Sequence, residues 1–191
     1  MGQKELLKLV GRVLEKFGVK YMITGAWSVI FFGRVRTSHD LDFVVEVEPE
    51  GIDKIKAALK EMGDGFWWQE SAVEEAIKKR SMFNVVFDPT GDKIDFWILK
   101  AGEFDAERFG RRVKVKAWGQ PMFISSAEDT ILQKLRWYEM GKIEKHVIDA
   151  AFVWQIQRSR LDKTYIKKWA KKLGVEKYLV KLDKIDIEEN Y

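Results

Sequence analysis

Thr24-Gly25-Ala26-Trp27-Ser28, and twelve positions on from Gly25 the run Thr37-Ser38-His39-Asp40-Leu41-Asp42-Phe43-Val44-Val45, decide how this chain folds. Residues 19–24 read as a strand with Val19, Tyr21 and Ile23 on one face, ending at Gly25. Residues 26–32 are apolar nearly all round, which predicts a short buried helix with Gly33 as its stop. A second strand over 41–47 follows the Asp-x-Asp pair. Glycine at a helix start lets a phosphate approach free backbone N–H groups, where the helix dipole also favours anions. Two aspartates two residues apart leave one face of a strand with Cα atoms about 6.5 Å apart. They are hard oxygen ligands of the kind Mg²⁺ takes together with phosphates. A phosphate cradle beside such a pair is the minimum equipment for phosphoryl or nucleotidyl transfer. The plainer alternative is a solvated strand face, since Glu46 and Glu48 continue the same alternation.

A third acid bears on that choice. In Ile94-Asp95-Phe96-Trp97-Ile98-Leu99 the residues Ile94, Phe96 and Ile98 share one face, and Asp95 shares the other with Trp97 and Leu99. A carboxylate among large apolar neighbours needs a cation, a metal or a raised pKa, because burying it unpaired costs several kcal/mol. A salt bridge to one of the many lysines is the structural alternative. If the Asp95 strand lies beside the Asp-x-Asp strand, three carboxylates converge, and such a triad can hold two divalent ions about 3.5–4 Å apart.

Gly25-Ala26, then Arg36-x-Ser38-x-Asp40-Leu41-Asp42, then a distant Asp95 on a strand resemble the nucleotidyltransferase superfamily related to DNA polymerase β. The likeness is closest to the small prokaryotic branch that includes AbiEii-type abortive-infection toxins. It covers residues 19–173 and is most specific over 25–42. It implies an α/β (α+β) fold, a mixed-sheet core with a C-terminal helical subdomain, and an NTP lying in the cleft between them. Mg²⁺ (or Mn²⁺) would be held by Asp40, Asp42 and Asp95, with Asp95 as base. Gly25, Ala26, Arg36 and Ser38, with Lys134 and Asp149 on later helices, would contact nucleotide or phosphates. An NMP would pass to an acceptor hydroxyl of RNA, protein or a small molecule. In the toxin branch an antitoxin-type partner neutralises the enzyme. Ala26 departs from the Gly or Ser usual there, keeping the N–H but losing the hydroxyl. That departure opens the alternative of an inactive regulatory or RNA-binding module on the same fold. A third option, a dinucleotide-dependent oxidoreductase, fits poorly, because Gly25 stands alone where Gly-x-Gly-x-x-Gly is needed.

Around this centre, helical periodicity covers 5–17, 52–62 and 74–80, and a hairpin joins 82–87 to 94–99 across Asp88-Pro89-Thr90-Gly91-Asp92. Short edge strands follow at 113–117 and 122–124. From Ser125 onward strand signals give way to four helical stretches, the first opened by a capping box Ser125-x-x-Glu128 and broken at Gly141. The others cover 144–157, 163–173 and 175–184, so the expected domains are 1–124 and 125–191. Lys134 lies beside an apolar seam and reads either as a flexible cation for a triphosphate or as a solvated lysine. Asp149 faces the same way as Phe152, Val153 and Ile156, so it needs a partner, with Lys134 or Arg136 the obvious candidates.

Composition narrows the rest. The 191 residues contain no Cys, which excludes disulfides, thiolate metal sites and cysteine nucleophiles. His39 and His146 are the only histidines and have no zinc-ligand spacing. No apolar run approaches the roughly 18 residues of a membrane span, and the N-terminus lacks signal-peptide character, so a cytoplasmic protein is expected. A charged fraction of 34% rich in Lys and Glu resembles that of thermophile proteins. The net charge of +4 permits a polyanionic partner. Lys167-Lys168, Lys171-Lys172 and Arg111-Arg112-x-Lys114-x-Lys116 are candidate basic surfaces toward RNA. Trp67, Trp68, Trp97 and Trp118 are candidates for stacking a base.

Overall fold

In the computed structural model, which describes residues 1–38 and 40–188, the elements run in chain order as follows. They are α1 (Gln3–Lys16), β1 (Lys20–Ile23), α2 (Gly25–Phe32), β2 (Asp40–Glu46), α3 (Ile52–Glu61), β3 (Phe66–Trp67), α4 (Glu70–Lys79), β4 (Met82–Phe87) and β5 (Asp92–Ile98). Then come α5 (Glu103–Gly110), β6 (Val113–Ala117), β7 (Gln120–Ile124), α6 (Ala127–Gly141), α7 (Glu144–Gln157), α8 (Lys163–Lys172) and α9 (Glu176–Leu182). His39 lies outside the described residues. The chain forms two compact units, one of Met1–Ala26 with Ser38–Ile124, the other of Trp27–Thr37 with Ser125–Tyr191.

The first unit is built on a seven-stranded sheet in the order β3-β4-β5-β2-β1-β7-β6. β2 pairs with β5 in parallel, as β1 does with β7, and the other neighbours are antiparallel. Alternation along the strands sorts side chains onto two faces. On one face Ile23, Phe43, Phe96 and Phe83 stand in a row across four strands. Phe96 stacks on Phe43 at 5.7 Å and on Phe83 at 5.0 Å between ring centres, and all three rings are buried. Such aromatic pairs add about 0.5–1.5 kcal/mol each beyond their buried area. On the other face Met22, Val44 and Trp97 form the matching row, and Phe109 of α5 packs on Met22 and Val44.

Two elements of this unit have weak sequence signals. β3 is two residues long at the sheet edge, and α5 lies between Gly102 and Arg111, its buried face carrying an Asp105–Arg108 ion pair of 3.1 Å among apolar residues. α4 begins at Glu70, four residues before its strongest periodicity.

The second unit contains α6 to α9. α6 starts one residue later than the expected capping box. Ser126 is the cap, its Oγ accepting from the Asp129 N–H at 3.1 Å and donating to Asp129 Oδ2 at 2.7 Å. Ser125 is buried with its hydroxyl unpartnered, and Glu128 instead accepts from the Asp162 N–H at 3.0 Å. The helix ends at Gly141, with Lys142 in the left-handed conformation closing it. No helix of the described residues is long and apolar enough to cross a membrane.

Candidate active site

Strand pairing places the acids. Asp42 on β2 stands directly opposite Asp95 on β5, and Asp40 opposite Lys93. Residues opposed across parallel strands share a face, with Cα atoms about 4.8 Å apart. Asp40 and Asp42 share that face by alternation, so all three sequence-predicted carboxylates lie on one side of the sheet. Asn84 of β4 extends the row beyond Asp95.

Each acid is held differently. Asp40 is exposed; Asp42 and Asp95 are half-buried. The indole Nε1–H of Trp97 donates to Asp42 Oδ1 at 3.2 Å, an orienting contact that strand register alone makes possible. Asp95 has no ion pair among the described residues, so the expected alternative of a lysine salt bridge is not what the fold builds. Burial, then the charges of Asp42 and Asp40, push its carboxyl up to about 6. This is the behaviour of like charges gathered in a partly dry place. Among the described residues no group of three or more His, Asp or Glu side chains is already gathered closely enough to hold a metal ion. What the sheet provides is an in-register pair with Asp40 beside it. That donor set is all carboxylate oxygen with an excess of negative charge, and it fits a hard divalent ion such as Mg²⁺ or Mn²⁺ rather than zinc.

Gly25 completes the group. Its φ is +65°, and a Cβ built there would fall 1.9 Å from Asp42 Oδ2, 2.6 Å from Cγ and 2.9 Å from Asp42 Cβ. Only glycine allows both the backbone conformation and the approach of the carboxylate. The Thr24 N–H donates to the Asp42 carbonyl at 2.9 Å, which ties the end of β1 to β2 at this point. Ala26 follows as a buried residue of α2.

Ser38 acts on the start of β2. Its Oγ donates to the Asp40 carbonyl at 3.0 Å and accepts from the Asp40 N–H at 3.4 Å. Gln3 holds the same loop from outside the predicted set: its Nε2 donates to the Ser38 carbonyl at 2.6 Å and to Asp92 Oδ1 at 2.8 Å. No motif marks Gln3. Trp97 had a signal, its shared face with Asp95, but its bond to Asp42 needed the register.

Arg36, Lys134 and Asp149 are brought together in the second unit. Lys134 Nζ donates to Asp149 Oδ2 at 2.8 Å, and Arg36 Nη2 to the same oxygen at 3.1 Å. Asp149 is fully buried, and its Oδ1 has no hydrogen-bond partner. Lys134 is 4% exposed, which corrects the expectation of a solvated lysine: a cation beside a buried acid follows the acid inward. Lys134, not Arg136, is the helical partner. Burial and the nearby Lys134 lower the pKa of His146 beside them. Arg34 lies over the Phe152 ring at 4.7 Å.

The eight tryptophans divide. Trp27, Trp154 and Trp169 are buried, whereas Trp67 and Trp118 are exposed.

Comparison with known proteins bears on the family and the fold. The aminoglycoside-2''-adenylyltransferase family profile matches residues 6–106, more than half of the chain and inclusive of Gly25, Asp40, Asp42 and Asp95. Curated protein sequences give no match. Among solved structures, ANT(2'')-Ia in complex with adenylyl-2''-tobramycin superposes with a TM-score of 0.62 at 14% identity, covering 90% of this chain and 96% of that one. The lincosamide antibiotic adenylyltransferase LnuA, with lincomycin bound, gives 0.54 at 14% identity over 82% and 98%. An antigenic nucleotidyltransferase-like protein from Paracoccidioides brasiliensis gives 0.59 at 13% identity over 89% and 86%. At these identities the structural likeness establishes the fold. With the family profile spanning the carboxylate site, the chain belongs to the aminoglycoside-2''-adenylyltransferase family of the nucleotidyltransferase superfamily.

Proposed function

We propose that this nucleotidyltransferase-family chain transfers a nucleoside monophosphate, AMP first, from an NTP to a hydroxyl of a small-molecule acceptor. The observation that carries this is the in-register Asp42–Asp95 pair seated against the glycine-only turn at Gly25. Asp40, Asp42 and Asp95 would hold the divalent ion, which supplies charge neutralisation for the triphosphate when bound. Gly25 and Ala26, at the start of α2, receive the phosphates on backbone N–H groups. Trp97 fixes Asp42, and Ser38 with Gln3 fixes the strand start that carries Asp40. The acceptor oxygen attacks the α-phosphorus, the α–β anhydride bond breaks, and pyrophosphate leaves. The hydroxyl proton passes to a carboxylate oxygen of Asp95, whose raised pKa suits a general base. Arg36, Lys134 and Asp149 enter as a positioning group: both cations are committed to one buried carboxylate, which anchors the segment leading into Ser38 and Asp40.

The acceptor class follows the relatives. The family's name specifies an aminoglycoside, and two structural relatives are described with antibiotic ligands. Amine-rich acceptors also suit a face with surplus carboxylates. RNA or protein acceptors, a toxin-like role and an antitoxin-type partner are the alternatives. An inactive module is disfavoured, because three clustered acids are an electrostatic liability with nothing to hold. The test is incubation with each α-labelled NTP and Mg²⁺ against aminoglycosides, lincosamides, total RNA and cell protein. Label on an antibiotic with release of pyrophosphate is expected. No NTP consumption with any acceptor, and no NTP binding, would overturn the proposal.

A further inference from the structure

α8 carries Lys163, Lys167, Lys168, Lys171 and Lys172 within ten residues. Lys163, Thr164, Lys167, Lys168 and Lys171, with Glu176 of α9, line a surface groove of about 620 Å³. Some lysines elsewhere are matched with acids, as in Lys20–Glu46, Lys56–Glu74, Lys79–Glu75 and Lys177–Glu139. Others, such as Lys4, Lys8 and Lys78, are spread over α1 and α4, whereas α8 gathers its lysines on one short helix. Lys163, Lys167, Lys168 and Lys171 have no acid partner among the described residues. Their recorded contacts are with rings, Lys163 over Trp154 and Lys168 over Trp169, each at 5.9 Å.

Helix stability does not account for this placement. Like charges at i,i+4 destabilise a helix by about 0.2–0.5 kcal/mol per pair, and α8 has three such pairs: Lys163–Lys167, Lys167–Lys171 and Lys168–Lys172. The dipole favours cations in the last turn, which explains Lys171 and Lys172, but it opposes Lys163 in a first turn without an acid. The stripe Lys163-Lys167-Lys171 spans about 12 Å along the axis. Over that length a nucleic-acid duplex presents about seven phosphate charges. An anionic membrane suits the groove less well: the apolar residues beside the stripe, Tyr165, Ile166 and Trp169, are buried and leave no wedge for lipid.

We infer that the α8 groove is a docking surface for the phosphodiester backbone of a nucleic acid, independent of its sequence. The contacts are charge to charge, so affinity falls steeply with salt and specificity for bases is absent.

The test is fluorescence anisotropy of the full chain with a labelled RNA hairpin and a DNA duplex of equal length, between about 50 and 200 mM salt. The triple variant Lys163→Ala/Lys167→Ala/Lys171→Ala is compared with Lys16→Ala/Lys60→Ala/Lys79→Ala, which removes the same charge from acid-paired positions of the other unit. The α8 variant should bind at least about tenfold more weakly at low salt, with the salt slope smaller by about 2–3. The control should change by less than about twofold. RNA and DNA arms show which sugar is preferred, and either supports the inference. Equal losses in both variants, or no binding by the parent, overturn it. So does α8-dependent binding to phosphatidylserine vesicles without binding to either nucleic acid. Circular dichroism checks folding, and the single variant Lys167→Gln carries the comparison if the triple unfolds. Asp42→Ala should retain full nucleic-acid binding, which separates this surface from the transfer site.

Discussion

Replacing Gly25 with Ala tests whether the turn and the carboxylate are built as one unit. Two costs are involved. The first is the left-handed backbone, about 1–2 kcal/mol for a residue with a Cβ, partly offset by a less flexible unfolded chain. Gly91→Ala isolates that cost, since Gly91 has φ +71° and nothing within 4 Å of an added Cβ. It should destabilise by about 1 kcal/mol. The second cost belongs to Gly25 alone. Its Cβ would lie 1.9 Å from Asp42 Oδ2, so the carboxylate must swing away and lose the Trp97 indole. A hydrogen bond to a charged group contributes about 1.5–3 kcal/mol, and a strained rotamer costs about 1 kcal/mol. Gly25→Ala should therefore destabilise by about 4 kcal/mol, some 3 kcal/mol beyond the Gly91 control. In an Asp42→Ala background the clashing oxygen and Cγ are gone, and the gap should shrink to about 1 kcal/mol, a coupling near 2 kcal/mol. Urea unfolding of the parent, the Gly25→Ala, Gly91→Ala and Asp42→Ala variants and the two glycine variants in the Asp42→Ala background measures this. Mg²⁺·ATP affinity should fall at least about tenfold in Gly25→Ala but not in Gly91→Ala. Equal destabilisation at Gly25 and Gly91, with nucleotide affinity intact, would refute the reasoning.

Asp95 gives a pH prediction. Its carboxyl titrates near 6 when folded against 3.8 as its ordinary value, so the native state holds a proton that the unfolded state releases. That stability is fully present below pH 3.8 and is lost as pH rises through about 6. Since the group is half exposed, the effect is about 1 kcal/mol after screening. In chelator, Asp95→Asn should be more stable than the parent at pH 7.5 by roughly that amount and equal to it near pH 4, in paired thermal melts; a constant difference across the range would contradict this. Asp149→Ala leaves the buried Lys134 and the partly buried Arg36 without their acid and should lose about 3–5 kcal/mol in urea unfolding. Lys134→Met, which leaves Arg36 on Asp149, should lose clearly less, and a reversed order would show the pair is not what holds this cluster. Ser126→Ala should cost about 1 kcal/mol and Ser125→Ala close to none, because only Ser126 caps α6. The opposite ranking would restore the Ser125–Glu128 box.

The carboxylate face was legible because strand alternation and hydrophobic spacing are local properties. Asp40 and Asp42 follow from the period of a strand, and Asp95 from its apolar neighbours. Their meeting was not legible from spacing and came only as what the family resemblance implies: it depends on β5 entering parallel to β2 with Asp95 opposite Asp42, a consequence of sheet order. For the same reason the Trp97 bond and the reach of Gln3 to Ser38 could not be read, since both join residues far apart in sequence. Lys134 looked like a surface residue by period, but a buried Asp149 on the next helix drew it in. β3 and α5 were missed because one is two residues long and the other mixes charge with its apolar face. The cap of α6 shifted by one because Ser125 and Ser126 are chemically alike and both buried, and only the fold decides which hydroxyl meets the Asp129 N–H.

The most direct test of the carboxylate site is calorimetric titration of ATP, with and without Mg²⁺, into the parent and Asp42→Asn. Binding that requires Mg²⁺ in the parent and weakens at least about tenfold in Asp42→Asn, a loss of some 1.4 kcal/mol, is the expected result. Equal Mg²⁺-dependent affinity in the two proteins would contradict the assignment of Asp42 and its in-register partner to a metal–nucleotide site.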